Sequence, residues 1–159
     1  MSKSSSETAS EFRQSVLIAS DHAGVALKAA IQKALPGWNW EDLGPSVTER
    51  VDYPDFAQIL SEKVASGRAK FGVLICGSGI GMSIAANKVP GIRAALVENP
   101  VAARLSREHN DANVLCLGSR FIAPEYGAEI VETWLNTPFS NDSRHQGRIT
   151  KITRLEKGN

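Results

Sequence analysis

Apolar side chains along this chain alternate between two textures, short unbroken runs and helical stripes. SVLIAS (Ser15–Ser20), FGVLIC (Phe71–Cys76), IRAALV (92–97) and NVLCLG (113–118) are runs rich in β-formers, too short for buried helices. Residues 38–43 make a weaker fifth run, interrupted by Asn39, Glu41 and Asp42. Stripes with apolar positions three and four apart lie between the runs. The first, from Gly24 to about Leu35, puts Val25, Leu27, Ala30, Ile31 and Ala34 in candidate buried positions before Pro36-Gly37 stops it. The second opens at Tyr53-Pro54-Asp55 and aligns Phe56, Ile59, Leu60 and Val64. Further helices are predicted up to about Lys88, over 100–108, over 124–135, and from about Arg144 to Leu155. The last has Ile149, Ile152 and Leu155 as its apolar side. Strand and helix alternate five times, and the strands are apolar on both faces. That pattern predicts an α/β fold: a single doubly wound Rossmann-like domain over 15–159, a five-stranded parallel sheet with helices on both faces.

Residues 1–14 (MSKSSSETASEFRQ) break the pattern. Their Ser-rich, mixed-charge composition predicts a disordered tail, without the apolar core of a secretory signal. No apolar run approaches the ~18 residues of a membrane span. The expectation is a soluble, cytoplasmic protein whose two Cys stay reduced. With 159 residues, 42% hydrophobic and 22% charged, the chain suits one globular domain. Eighteen Lys+Arg against 17 Asp+Glu leave a net charge of +1, so no overall field attracts nucleic acid or anionic lipid. Neither nucleic acid nor a membrane is expected as a partner, and any anion site must be local.

A doubly wound sheet binds ligands beyond the carboxyl ends of its strands. The residues leaving the predicted strands are Asp21-His22, Gly44-Pro45, Cys76 to Gly81, Glu98-Asn99 and Ser119-Arg120. Taken singly, each is ordinarily a solvated loop end or a helix cap; their shared edge singles them out. Cys76-Gly77-Ser78-Gly79-Ile80-Gly81 is the strongest local signal. Its glycines permit tight turning, and the helix behind it offers free N–H groups to a phosphate, a carboxylate or an oxyanion. A dinucleotide site fits poorly, because the spacing is G-x-G-x-G and the loop follows the third strand. Cys76 faces those donors from the strand exit, which suits a thiolate acting as nucleophile or as proton-abstracting base. Cys116, mid-strand, reads as a small buried hydrophobe. His109-Asn110-Asp111 follows the fourth helix, where a lone His is ordinarily a C-terminal residue favoured by the helix dipole. Arg144 and Arg148 share a helical face that is either solvated or a phosphate clamp.

Five stretches bring a family into view: SDHAG (20–24), DYPDFA (52–57), ICGSGIGMSIAANKVPGIRAA (75–95), SREHNDANVLCLGSR (106–120) and RHQGRI (144–149). In order and spacing the chain resembles the B-type ribose-5-phosphate isomerases, whose family also includes galactose-6-phosphate isomerase subunits. The resemblance implies a metal-free, cofactor-free aldose–ketose isomerisation of ribose 5-phosphate and ribulose 5-phosphate, a pentose phosphate pathway step passing through an enediolate. Cys76 then corresponds to the base. Backbone N–H groups of Gly77, Gly79, Ile80 and Gly81 form an anion hole, and Ser78 shuttles a proton between the two substrate oxygens. His109 with Asp21 opens the sugar ring, and Asn110 contacts the anionic oxygens or ring hydroxyls. His22, Arg120, Arg144 and Arg148 take the phosphate, while Tyr53 of DYPDFA is carried over as a substrate contact. One branch of the family has a Glu directly after the glycines; Met82 stands there, which assigns this chain to the Cys branch. The resemblance also implies a homodimer, possible as part of a tetramer, whose sites draw on both chains, with His109, Asn110 and Arg120 as candidates to cross. Three alternatives remain open on the residues alone: a six-carbon substrate, a non-catalytic sugar-phosphate or nucleotide sensor, and a dehydrogenase.

Overall fold

The computed structural model of the chain describes residues 15–158. The tail expected over 1–14 lies outside them. The strands are β1 (Ser15–Ser20), β2 (Asn39–Asp42), β3 (Phe71–Cys76), β4 (Ala94–Leu96) and β5 (Val114–Gly118). Between and after them run α1 (Val25–Ala34), α2 (Tyr53–Ala65), α3 (Ile80–Ala86), α4 (Pro100–Asn110), α5 (Pro124–Asn136) and α6 (Ser143–Leu155). A short 3-10 turn, His22–Gly24, leads into α1. Every pairing is parallel, in the order β2-β1-β3-β5-β4. The doubly wound five-stranded α/β fold is as predicted.

The strand period of two divides the core between the faces. Val16, Ile18, Val73, Ile75, Leu115 and Leu117 pack with Leu27, Ile31, Ala103, Ile130 and Trp134, from α1, α4 and α5. Leu17, Ala19, Leu74, Cys76 and Cys116 pack on the other face with Ala57, Leu60 and Val64 of α2 and Met82 and Ala86 of α3. Fully burying a Leu, Ile or Val side chain stabilises by roughly 1.5–3 kcal/mol, so these two clusters hold the sheet flat against its helices. Cys116 is fully buried, as expected.

Several expectations need correction at the edges. The fourth strand is shorter than 92–97, because Asn113 rather than a strand partner satisfies Gly91 and Arg93, and Asn87 closes the outer edge by bonding both Ala94 N–H and Ala94 carbonyl. In α1, Ala34 is exposed, whereas Lys28 is buried. Its Nζ reaches Asp42 Oδ1 at 2.7 Å and the Pro45 carbonyl at 2.6 Å, tying α1 to the exit of β2. A charged stem can cover core when its head finds such partners, which a hydropathy stripe does not register. Ile59 of α2, and Ile152 and Leu155 of α6, are exposed rather than buried. The first half of α6 packs on α4 through His145 and Ile149; its second half is more exposed and is tied back at its end, where the Gly91 N–H donates to the Glu156 carboxylate at 2.9 Å.

Candidate active site

From β1 the chain moves outward to β2, then crosses back over β1 to reach β3. That reversal opens a crevice beyond the carboxyl ends of β1 and β3. A cleft of about 520 Å³ lies there, lined by Asp21, His22, Arg50, Tyr53, Cys76 and Arg120, with Gly77, Ser78, Ile80 and Gly81.

Backbone bonds place each group. Asp21 N–H donates to the Ile75 carbonyl at 3.0 Å, and its carboxylate caps the 3-10 turn by accepting from Ala23 N–H at 2.9 Å. Asp21 is thereby held 7% exposed beside the end of β3. His22 Nδ1 accepts from Val51 N–H at 3.4 Å, which leaves the proton of the neutral ring on Nε2. Across the crevice, Ser119 N–H bonds the Cys76 carbonyl at 2.9 Å and Arg120 N–H bonds the Gly77 carbonyl at 3.0 Å. These bonds lay the Arg120 guanidinium over Gly77, where a Cβ would stand 3.2 Å from Arg120 Cζ.

Cys76 is buried at 4% exposure, with its sulfur accepting the Gly79 N–H at 3.1 Å. Gly79 makes this turn with φ +75°, and a Cβ there would lie 2.6 Å from Leu96 Cδ1 and 2.8 Å from the Leu117 carbonyl carbon. Only glycine satisfies both the left-handed backbone and the approach to β5. Ser78 Oγ accepts Ile80 N–H at 3.2 Å and keeps its own O–H to donate. Tyr53, at the start of α2, packs its ring edge onto Gly81. The groups gathered here are a cysteine sulfur under a backbone donor, a carboxylate, an imidazole and two guanidinia. Arg50 and Arg120 enter no ion pair among the described residues. No group of three or more His, Cys, Asp or Glu among the described residues is arranged to hold a metal ion.

The remaining expected residues gather elsewhere. α4 runs antiparallel to the strands, so its end, carrying His109 and Asn110, feeds β5 at the opposite edge of the sheet. The five residues of β5 rise ~3.3 Å each, which puts this end roughly 15 Å or more from the cleft. There His109 stacks on His145 of α6, ring centroids 4.3 Å apart and planes 17° from parallel. Arg144 and Arg148 lie on the same first turns of α6. Burial holds His145 below the ordinary histidine value; His109 and Arg144 depress it further, Asp142 opposes, and Arg148 adds to the depression. Asp142 caps α6, and the Arg144 N–H bonded to its carboxylate holds it below the usual carboxylate range.

Comparison with known proteins shows the family. The family model described as Ribose/Galactose Isomerase matches residues 16–152. The chain belongs to the ribose/galactose isomerase family. Ribose-5-phosphate isomerase B of Escherichia coli is 45% identical over 139 residues, covering 86% of this chain and 93% of that protein. Among solved structures, the type B ribose 5-phosphate isomerase of Trypanosoma brucei superposes with a TM-score of 0.88 at 46% identity, covering 91% of this chain and 99% of its own. Ribose-5-phosphate isomerase B from Mycoplasma genitalium, solved with bound ribulose-5-phosphate, gives 0.86 at 45% identity, covering 91% and 97%. As a member of the ribose/galactose isomerase family the chain is an enzyme, an isomerase.

Within that family frame, the strand-exit rule located Asp21, His22, Cys76 and Arg120 in one cleft of one chain. Arg120, weighed above as a crossing residue, stands in the cleft of its own chain. The exit of β4 does not join it: β4 is the far edge strand, and Asn99 caps α4 by accepting Ala102 N–H at 2.8 Å. Arg50 and Ile84 also line the cleft and were not singled out from sequence. The signal for Arg50 was present, since it lies on the loop leaving β2 at the same edge, two residues before Asp52-Tyr53. Among the described residues no helix is long and apolar enough to cross a membrane.

Proposed function

We propose that this isomerase interconverts D-ribose 5-phosphate and D-ribulose 5-phosphate, with Cys76 as the base. The observation that carries the reading is the Cys76 sulfur under the Gly79 N–H in the β1/β3 crevice, flanked by Asp21 and Arg120. The bound ribulose-5-phosphate of the Mycoplasma genitalium relative supports the sugar.

Ring opening comes first. His109 and Asp21 remove the C1 hydroxyl proton and return a proton to the ring oxygen; the C1–O4 bond breaks as C1=O forms. Cys76 thiolate then takes the C2 proton. The C2–H electron pair becomes the C1=C2 bond and the carbonyl pair moves to O1. The backbone N–H groups of the loop at Gly77, Gly79, Ile80 and Gly81 receive that oxyanion, those of Gly79 and Ile80 turning to it from the Cys76 sulfur and Ser78 Oγ that they bond in the free site. Ser78 carries the O2 proton to O1, C2=O forms, and C1 takes back the proton from the thiol. Electrons balance within the substrate. His22 and Arg120 bind the phosphate, joined by Arg144 and Arg148, while Asn110 and Tyr53 contact the sugar.

His109, Asn110, Arg144 and Arg148 reach this cleft from a second copy of the chain, which makes the working unit a homodimer with shared sites. Support comes from the edge separation of the two groups and from exposed apolar residues at the cleft, Ile84 (58%) and Ile80 (51%) in its lining and Phe121 (64%) next to Arg120 in the chain. Both cysteines are free thiols, consistent with a cytoplasmic enzyme of pentose phosphate interconversion.

The test is direct measurement of ribulose 5-phosphate formation with EDTA present. Wild type turns over, and Cys76→Ala loses about 100-fold or more in kcat, the scale of a general base. Near-normal kcat in Cys76→Ala defeats the base assignment. A higher kcat/KM on galactose 6-phosphate or allose 6-phosphate defeats the choice of sugar.

A further inference from the structure

Outside the cleft, one contact has no part in the mechanism above: the stack of His145 on His109. His109 is exposed and His145 buried, and among the described residues neither side chain makes a hydrogen bond. With no hydrogen bond to hold it, the ring of His109 lies against the face of its neighbour. His145 is itself immobilised, 6% exposed in the seam where α6 packs on α4, and the Asp142 cap fixes the first turn that carries it. A surface histidine on a helix end otherwise samples several rotamers, and catalysis by proton transfer needs one of them.

We infer that His145 is a positioning residue for ring opening, a buried aromatic platform that holds the His109 imidazole in the single orientation from which it exchanges protons with the C1 hydroxyl and ring oxygen of a sugar phosphate. This rests on the assignment of His109 to ring opening made above. The charges facing His145 are those of His109 from α4, and of Asp142, Arg144 and Arg148 from α6 and its cap. Burial and three of these four disfavour a proton on His145. A cationic neighbour would oppose the imidazolium His109 forms in mid-reaction.

The partial reactions separate this role from mere packing. Ribulose 5-phosphate has no free hydroxyl with which to close a furanose ring, so exchange of its C1 hydrogen with D2O needs Cys76 and the enediolate and omits ring opening. In full-length enzyme, His145→Ala lowers kcat for ribose 5-phosphate isomerisation about tenfold or more. KM and the C1 exchange rate stay near wild type. His145→Phe, which keeps the flat ring and drops its nitrogens, retains most of the kcat. The idea is overturned if His145→Ala keeps its kcat, if exchange falls in step with turnover, or if His145→Phe is as slow as His145→Ala. If His145→Ala does not fold, the comparison of His145→Phe with His145→Leu, similar in burial but without a ring face, decides it: equal rates overturn the platform. A His109→Asn enzyme with undiminished isomerisation removes the ring-opening assignment itself, a different outcome from an unaffected His145→Ala beside a slow His109→Asn.

Discussion

Gly79 meets three demands at one residue: a left-handed φ, close approach to β5, and an N–H aimed at the Cys76 sulfur. Gly79→Ala adds a Cβ to a space already filled by Leu96 and the Leu117 backbone. The expected loss is about 2 kcal/mol or more of stability, since strain and overlap act together. Urea unfolding should show it, with kcat falling as the N–H leaves the sulfur. The two thiols make a second comparison. Cys116 is fully buried, and burial together with nearby Cys76 pushes its thiol far above the ordinary range, which starves it of thiolate. Iodoacetamide under native conditions should label one site, found by peptide mass mapping at Cys76, and ribose 5-phosphate should slow the labelling. Labelling of Cys116 at a comparable rate would contradict the packing described for β5.

At the level of elements, the seam between α4 and α6 is built to respond to acid. Because His145 is held below its ordinary value of ~6.5 when folded, the unfolded chain binds more protons as pH falls through that region. Stability is therefore full above about pH 6.5 and declines below it. Urea midpoints at pH 7.5 and 5.5 should show the decline, with a shallower dependence in His145→Phe. Hydrogen exchange should report faster opening of α6 at the lower pH. A second junction, Lys28 to Asp42 and the Pro45 carbonyl, fixes the start of the loop leading to Arg50 and Val51. Lys28 is buried while Asp42 is partly exposed, so solvent screens part of the pair. Lys28→Ala should cost about 2 kcal/mol, below the range for a fully buried pair. The loosened loop should raise KM for ribose 5-phosphate through Arg50 and the Val51–His22 contact, with a smaller effect on kcat.

Across the whole molecule, the proposed catalytic groups sit at opposite edges of one sheet, and the shared-site proposal has a second copy unite them. Inactive Cys76→Ala and His109→Asn chains should complement one another when mixed under subunit exchange. Random pairing makes half the dimers mixed, each with one intact site of two, so about a quarter of wild-type activity should return. No recovery would place both groups in one chain's site and remove the shared-site reading.

The fold and the cleft half of the site were legible in the sequence because both follow from local rules. Unbroken β-rich runs separated by helical stripes leave a covered parallel sheet as their solution, and such a sheet gathers its strand exits at one edge. Asp21, His22, Cys76 and Arg120 could be named on that ground. Departures arose where a side chain answers to a distant partner: Lys28 is buried because Asp42 and the Pro45 carbonyl receive its charge, and the fourth strand is short because Asn87 and Asn113 take up its backbone groups. The His109–His145 stack was equally invisible, since thirty-six positions separate two residues that only the docking of α6 on α4 brings together. Sequence by itself determined the periodicities, the glycine loop and the family. Tertiary structure alone decided which charged groups share a cleft and which stand across the sheet, because helix direction and strand order set those distances and neither is written in any local run of residues.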